Sequence, residues 1–425
     1  MAPPERELMH ALTVIFVVAL VAATGLRLWL ARRQIDSVRR HRDHVPDAFA
    51  DTITPETHRY AADYSIARTR LGIVDTAMEA IVLLGWTLGG GLAAIDQAWR
   101  GLELPPLVTG IGVLATIVIV GAVIDLPLRV WRTFGIEAGF GFNRTTPVLF
   151  VADQLRTAAL LLVLGIPLAA VILWLMQAAG DGWWLYAWAV WLGFNLLMVW
   201  AWPAFIAPLF NRFTPLEDTG LRTRIEALLA RCGFASNGVY VIDGSRRSGH
   251  GNAYFSGLGR NKRIVFFDTL LEQLDADEVE AVLAHELGHF RHHHIAKKIA
   301  LMALASLGGL ALLAWLMEQQ WFYTALGVPT PSIHAALALF MLVLPVFTFF
   351  LQPLFAALSR RHEFEADTFA ATQCRADHLV SALVDLYREN ANTLTPDPIW
   401  SAFHDSHPPA AARIAHLRRQ RTPAV

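Results

Sequence analysis

The chain has 425 residues, of which 55% are hydrophobic and only 17% charged, with a mean hydropathy of +0.41. Soluble domains carry about a quarter charged residues, so much of this chain must face something other than water. A net charge of −1 gives no electrostatic case for a nucleic-acid partner. Two cysteines, Cys232 and Cys374, exclude a disulfide framework and a four-thiolate metal site, and both are expected to be inert buried thiols. Lysine occurs only at Lys262, Lys297 and Lys298 while arginine is abundant, the bias of a GC-rich, bacterial genome.

A spanning helix needs roughly 20 apolar residues. Seven stretches qualify: 11–31, 72–95, 106–128, 155–178, 184–208, 299–317 and 334–357. The first runs into Arg27, Arg32, Arg33, Arg39, Arg40 and Arg42, a stop-transfer pattern that separates it from a cleaved signal peptide. Basic residues mark the loops after the first and third spans, so those loops are expected on the cytoplasmic side, with the N-terminus outside and the C-terminus inside. The division expected is five membrane helices in 1–208, a cytoplasmic catalytic segment at 209–298, two more spans in 299–357, and a cytoplasmic remainder at 358–425. Inside the spans, Asp125 is placed to pair with Arg129 at i,i+4, while Glu79 and Asn195 are candidates to face an internal cavity.

Between the fifth and sixth spans, Glu217 to Arg231 has the pattern of an amphipathic helix. Val239–Ile242, Asn252–Phe255 and Arg263–Phe267 are strand candidates, the last two joined by Gly257-Leu258-Gly259. Asp275 or Asp277 would cap a helix running through His285 into the sixth span. That helix carries His285-Glu286-Leu287-Gly288-His289. At 3.6 residues per turn the two histidines stack on one face, where they can hold one zinc ion. Glu286 sits beside the first ligand, where it can take a proton from a zinc-activated water as general base. Gly288 allows close approach of another element.

A catalytic zinc needs a third protein ligand. The segment 361–367 after the last span offers Glu363 and Asp367 at i,i+4 on one face, with Glu365 pointing away. Glu363 is expected as the third ligand and Asp367 as a carboxylate that orients a ligand histidine. His292, His293 and His294 are assigned a juxtamembrane polar role. Ser406-His407-Pro408-Pro409 reads only as a helix cap followed by prolines.

Taken together, Phe134-Gly135-Ile136-Glu137, Pro208-Leu209-Phe210-Asn211-Arg212-Phe213-Thr214-Pro215, Asn252-Ala253-Tyr254-Phe255, the HELGH pentad and Glu363-Phe364-Glu365-Ala366-Asp367 resemble the type I CAAX prenyl protease family. Ser406-His407-Pro408-Pro409 extends the match, in family order over most of the chain. The resemblance implies a mainly α integral-membrane fold: seven transmembrane helices forming a barrel-like chamber, with a cytoplasmic zincin-type domain containing a small β-sheet. It implies one zinc ion per chain on His285, His289 and Glu363, with Glu286 as base. It further implies His407 as the stabiliser of the oxyanion with Arg413 in support, and Asn252, Ala253 and Tyr254 as a strand edge that aligns a peptide. The family often has His-Ser before this strand, where this chain has His250-Gly251. The expected partners are a peptide or protein substrate, prenylated or not, and the lipid bilayer of a bacterial inner membrane. The competing readings are an HtpX-like quality-control endopeptidase and a non-catalytic zinc-containing scaffold or transporter. Fewer spans would mark the first, and four closed metal positions the second.

Overall fold

Among the described residues, six helices are long and apolar enough to cross a membrane, and a bent helix pair makes a seventh span if it is counted as one. The computed structural model describes residues 3–234, 236–256 and 262–420. The membrane half comprises α1 (Pro3–Arg40), α2 (Pro55–Trp86), α3 (Gly91–Arg100), α4 (Pro106–Val130), α5 (Pro147–Leu160), α6 (Ile166–Ala178), α7 (Trp183–Ala201) and α8 (Ala207–Phe210). α4 continues through a π-helical turn, Trp131–Glu137, and α5 and α6 form one span.

The second expected span is where the chain departs from the sequence reading. The expected stretch 72–95 crosses a 48° bend between α2 and α3. The cause is local: Gly90 takes φ +76, and the Thr87 carbonyl lies against Gly327, where a Cβ would come within 2.3 Å of it. Only glycine fits both places.

The half that carries the HELGH helix follows with α9 (Thr219–Arg231), α10 (Asp268–Gln273) and α11 (Ala276–Arg291). Its four-stranded sheet has the order β1 (Phe213–Pro215), β2 (Ser236–Ile242), β4 (Lys262–Phe267), β3 (Ala253–Ser256). β2 and β4 run parallel, and β1 and β3 are antiparallel edges. β1 was not expected, being three residues long and ended by a proline. The Gly257-Leu258-Gly259 connector lies outside the described residues.

The chain then returns through α12 (His294–Met317), α13 (Gln320–Ala325) and α14 (Ile333–Thr348). It ends with α15 (Gln352–Gln373), α16 (Ala376–Glu389), α17 (Pro398–His404) and α18 (Ala410–Gln420). Asp275, one of the two candidates, caps α11 in a full capping box with Glu278. The expected continuous helix into the sixth span is broken: α11 stops at Arg291, His293 takes φ +56, and α12 starts at His294.

Two large apolar cores stand out among the described residues, with smaller clusters beside them. Phe16, Leu92, Leu173, Leu313 and Leu339 belong to the membrane bundle, whereas Ile225, Ile264, Phe266, Leu283 and Leu287 belong to the HELGH half. The outward faces of the spans are apolar, with Val148 80% exposed, as lipid contact requires. Asp125 pairs with Arg129 as expected. Glu79 pairs with Arg27 at 2.8 Å, and Asn195 bonds the Trp191 carbonyl of its own helix. Both cysteines are half-buried rather than buried, and partial burial raises both thiols above their ordinary range, Cys374 to about 11.

Candidate active site

α11 and α15 build the site by approaching closely at one point. A Cβ on Gly288 would lie 2.8 Å from Ala366 Cα and 3.0 Å from its carbonyl oxygen, so the glycine is required by the contact. The approach brings Glu363, three residues before Ala366, opposite the two histidines. His285 Nε2 and His289 Nε2 are 3.2 Å apart, and each lies 3.4 Å from a different Glu363 oxygen.

His285, His289 and Glu363 form a group able to hold a metal ion, with one donor atom from each within 4.8 Å of the others. Four ligands at about 2.0–2.1 Å around a tetrahedral ion need edges of roughly 3.3 Å, close to those present. Two further observations fit a cation. Two imidazole nitrogens face one another, and Glu363 Oε2 is buried without a hydrogen-bond partner. Burial and then His285 push His289 down to about 3, which keeps its imidazole neutral and able to donate a lone pair.

Asp367 is fully buried beneath His285, with Oδ1 2.9 Å from Nδ1. The buried Arg413 donates from Nε to Asp367 Oδ2 at 2.9 Å, and its Nη2 lies 3.2 Å from His285 Nδ1. Glu286 lines a cavity of about 560 Å³ together with His285, Asn252, Ala253, His407 and Arg413. Burial, with the Glu363 charge adding to it, raises the Glu286 carboxyl above the ordinary range. His407 turns Nε2 toward Glu363 Oε1 at 3.5 Å, and its Nδ1 is 3.0 Å from Ser406 Oγ. Tyr254 stands apart from the cavity wall, its ring edge-on to Phe267.

β3 is an edge of the sheet. Phe267 N–H donates to the Asn252 carbonyl at 2.9 Å, so ladder alternation turns the Ala253 carbonyl away from β4. The Ala253 N–H is taken by Asn252 Oδ1. A Cβ on Gly251 would meet the movable Gln273 Oε1 at 2.1 Å and Leu270 Cα at 3.3 Å.

Two neighbours of the site were missed in the sequence. His294 lies at the start of the sixth span, as expected, but it is buried against the site, with Nδ1 2.9 Å from His289 Nδ1 and Nε2 3.0 Å from Glu365. The break at His293 folds it back beneath His289, and no helical periodicity signals that break. Arg360 donates to the carbonyls of Ser401, Ala402 and Asp405 and thereby fixes the turn that carries His407.

Residues 34–212 match the family model described as CAAX prenyl protease N-terminal, five membrane helices, and residues 215–421 match peptidase family M48. The CAAX prenyl protease 1 homolog of Arabidopsis thaliana is 36% identical, covering 87% of this chain and 89% of that protein. The Homo sapiens homolog is 30% identical and covers 95% of each. The crystal structure of S. mikatae Ste24p matches with a TM-score of 0.90 at 30% identity, over 96% of this chain and 99% of that one. Matches running through both halves disfavour the HtpX-like and scaffold alternatives. The membrane bundle and the HELGH half are therefore parts of one inherited architecture, and the chain belongs to the M48 peptidases of CAAX prenyl protease 1 type, multi-pass membrane metalloendopeptidases.

Proposed function

We propose that the resident metal is zinc, held by His285, His289 and Glu363, and that Glu286 is the general base for hydrolysis of a peptide bond. The observation that carries this reading is the set of 3.2–3.4 Å edges between two imidazole nitrogens and one carboxylate, with Glu286 beside them on the cavity wall. Bound zinc supplies Lewis acidity and lowers the pKa of water. Glu286, its carboxyl raised by burial, takes the proton that water loses as its oxygen attacks the scissile carbonyl carbon. The same carboxyl returns that proton to the leaving amine as the C–N bond breaks. His407 faces the cavity to donate to the oxyanion that develops at that carbonyl. Asp367 holds the His285 ring through Nδ1, and Arg413 neutralises the buried carboxylate. The Asn252–Tyr254 edge receives the peptide as an added strand, which the outward Ala253 carbonyl supports.

The substrate class proposed is a prenylated CAAX-type peptide, on the strength of relatives named CAAX prenyl protease 1. The arginine-rich loops favour a cytoplasmic active site, an outside N-terminus and a bacterial inner membrane. Bound zinc and cleavage of a farnesylated CAAX peptide are measured beside Glu286→Gln. The variant is expected to keep the metal and lose turnover by about 10²–10⁴-fold. Zinc in both proteins with no cleavage of farnesylated or unmodified peptide would overturn the reading.

A further inference from the structure

Behind the edge strand lies a polar cluster that the chemistry above does not use. Its hub is His250, two residues before Asn252. The His250 ring places Nε2 3.2 Å from Tyr64 Oη and 3.4 Å from Glu137 Oε2, and Nδ1 3.2 Å from Asn390 Oδ1. Tyr64 Oη donates to Glu137, 2.8 Å from each carboxylate oxygen. One flat face of the imidazole is stacked on Phe142 at 4.2 Å and 19°. These contacts come from distant parts of the chain: Tyr64 from α2, Glu137 from the π-helical turn after α4, and Asn390 from the C-cap of α16.

The backbone around the ring is held as firmly. Gly251 N–H donates to Asn390 Oδ1 at 3.0 Å, which fixes the amide orientation of Asn390, and Thr269 Oγ1 donates to the His250 carbonyl at 2.9 Å. Just upstream, Gly249 N–H donates to the Phe142 carbonyl at 2.9 Å. The chain thus enters β3 clamped between the membrane half and the catalytic half, with the imidazole spanning the two. Beyond the clamp, β3 has only four residues and one partner strand. A short edge of that kind cannot define its own register, because pairing to a guest strand is weakly specified unless something outside the ladder fixes it.

We propose that His250 is a positioning residue that sets the register of the substrate backbone on β3 by anchoring the chain just before Asn252 to Glu137, Tyr64 and Asn390. The proposal rests on the strand-addition reading given above. Loss of the imidazole leaves the metal centre intact and lets the edge shift along the bound peptide. A slip of one residue would turn every substrate side chain to the opposite face, so slips of two residues are the ones that persist.

The test uses the full-length protein in detergent with a farnesylated peptide whose products are resolved by mass. His250→Ala is expected to retain bound zinc and to raise KM by roughly tenfold or more with kcat nearly unchanged, the pattern of lost uniform binding. It is also expected to yield secondary products offset by two residues from the main cut. Tyr64→Phe, which removes only one hydroxyl from the cluster, should move KM and product register in the same direction by less, and it carries the test should His250→Ala fail to accumulate. Combined with Glu137→Gln, His250→Ala should add little, since both break one unit. Wild-type KM and a single product, or loss of metal or of kcat with KM unchanged, overturns the proposal. Substrates N-methylated at single backbone amides separate the two ideas. If the wild type cuts every one of them as well as the parent, strand addition itself is wrong. If N-methylation blocks cleavage but His250→Ala behaves as wild type, only the role of His250 falls.

Discussion

Gly288→Ala tests whether the approach of α11 to α15 sets the metal centre. The added Cβ would lie 2.8 Å from Ala366 Cα, 3.0 Å from its carbonyl oxygen and 3.2 Å from its Cβ. The two closest atoms belong to a helix backbone and cannot rotate aside. Restoring a contact of about 3.4 Å requires the helices to part by about 0.6 Å, which would lengthen the 3.4 Å separations from Glu363 to His285 and His289 by a similar amount. Overpacking of this kind costs about 1–3 kcal/mol. Alanine returns up to about 1 kcal/mol in helix propensity, so the fold should survive. The metal should not be held as before: at the stretched separation, affinity is expected to fall by at least about tenfold. Competition with a chelator measures that affinity, and circular dichroism of the same sample checks the helices. Wild-type affinity and turnover in Gly288→Ala would refute the idea that this contact spaces the ligands.

Three further outcomes follow from the same geometry. His294→Ala removes the partner of His289 Nδ1 and should weaken metal binding by about 10–100-fold, read by chelator competition, with the secondary structure unchanged. Asp367→Asn leaves the buried Arg413 with only the more distant Glu363 carboxylate, at 3.9 Å, and should destabilise the protein by up to about 3 kcal/mol in denaturant unfolding, besides loosening the metal. Chelation should abolish peptide hydrolysis in the wild type, with activity restored by added zinc but not by magnesium, which prefers all-oxygen octahedral sites.

What the sequence made legible is what local periodicity encodes. His285 and His289 share a face because they are four apart on a helix, and Glu363 and Asp367 face them for the same reason on α15. Gly288 could be assigned a close approach, although not its partner Ala366, which lies 78 positions further on. The misses occur where the path of the backbone changes without a marker in composition. A histidine at φ +56 breaks α11 from α12, and asparagine or glycine would have been the usual signal there. The α2–α3 bend is the opposite case. Gly85, Gly89, Gly90 and Gly91 announce flexibility, but the apolar run through them hides the break from a hydropathy window.

The polar side chains of the membrane half also bear on how such a site is built. Arg33 of α1 pairs with Asp397 at 2.9 Å, and Gln34 Oε1 accepts the Asp397 N–H at 2.8 Å. Asp397 in turn caps α17, whose far end leads to Ser406 and His407. Tyr64 and Glu137 reach His250, just before the Gly251–Ala253 stretch that lines the cavity. Both of these cleft-lining segments are therefore fixed by a charged or hydrogen-bonded group carried on a membrane helix, at the end of the span where water and apolar core meet. Such contacts are directional, whereas apolar packing between helices leaves rotation and sliding less constrained. A bundle that served only as an anchor would have no use for buried partners aimed at the cleft. The membrane helices of this protease are part of the structure that holds its active site in shape.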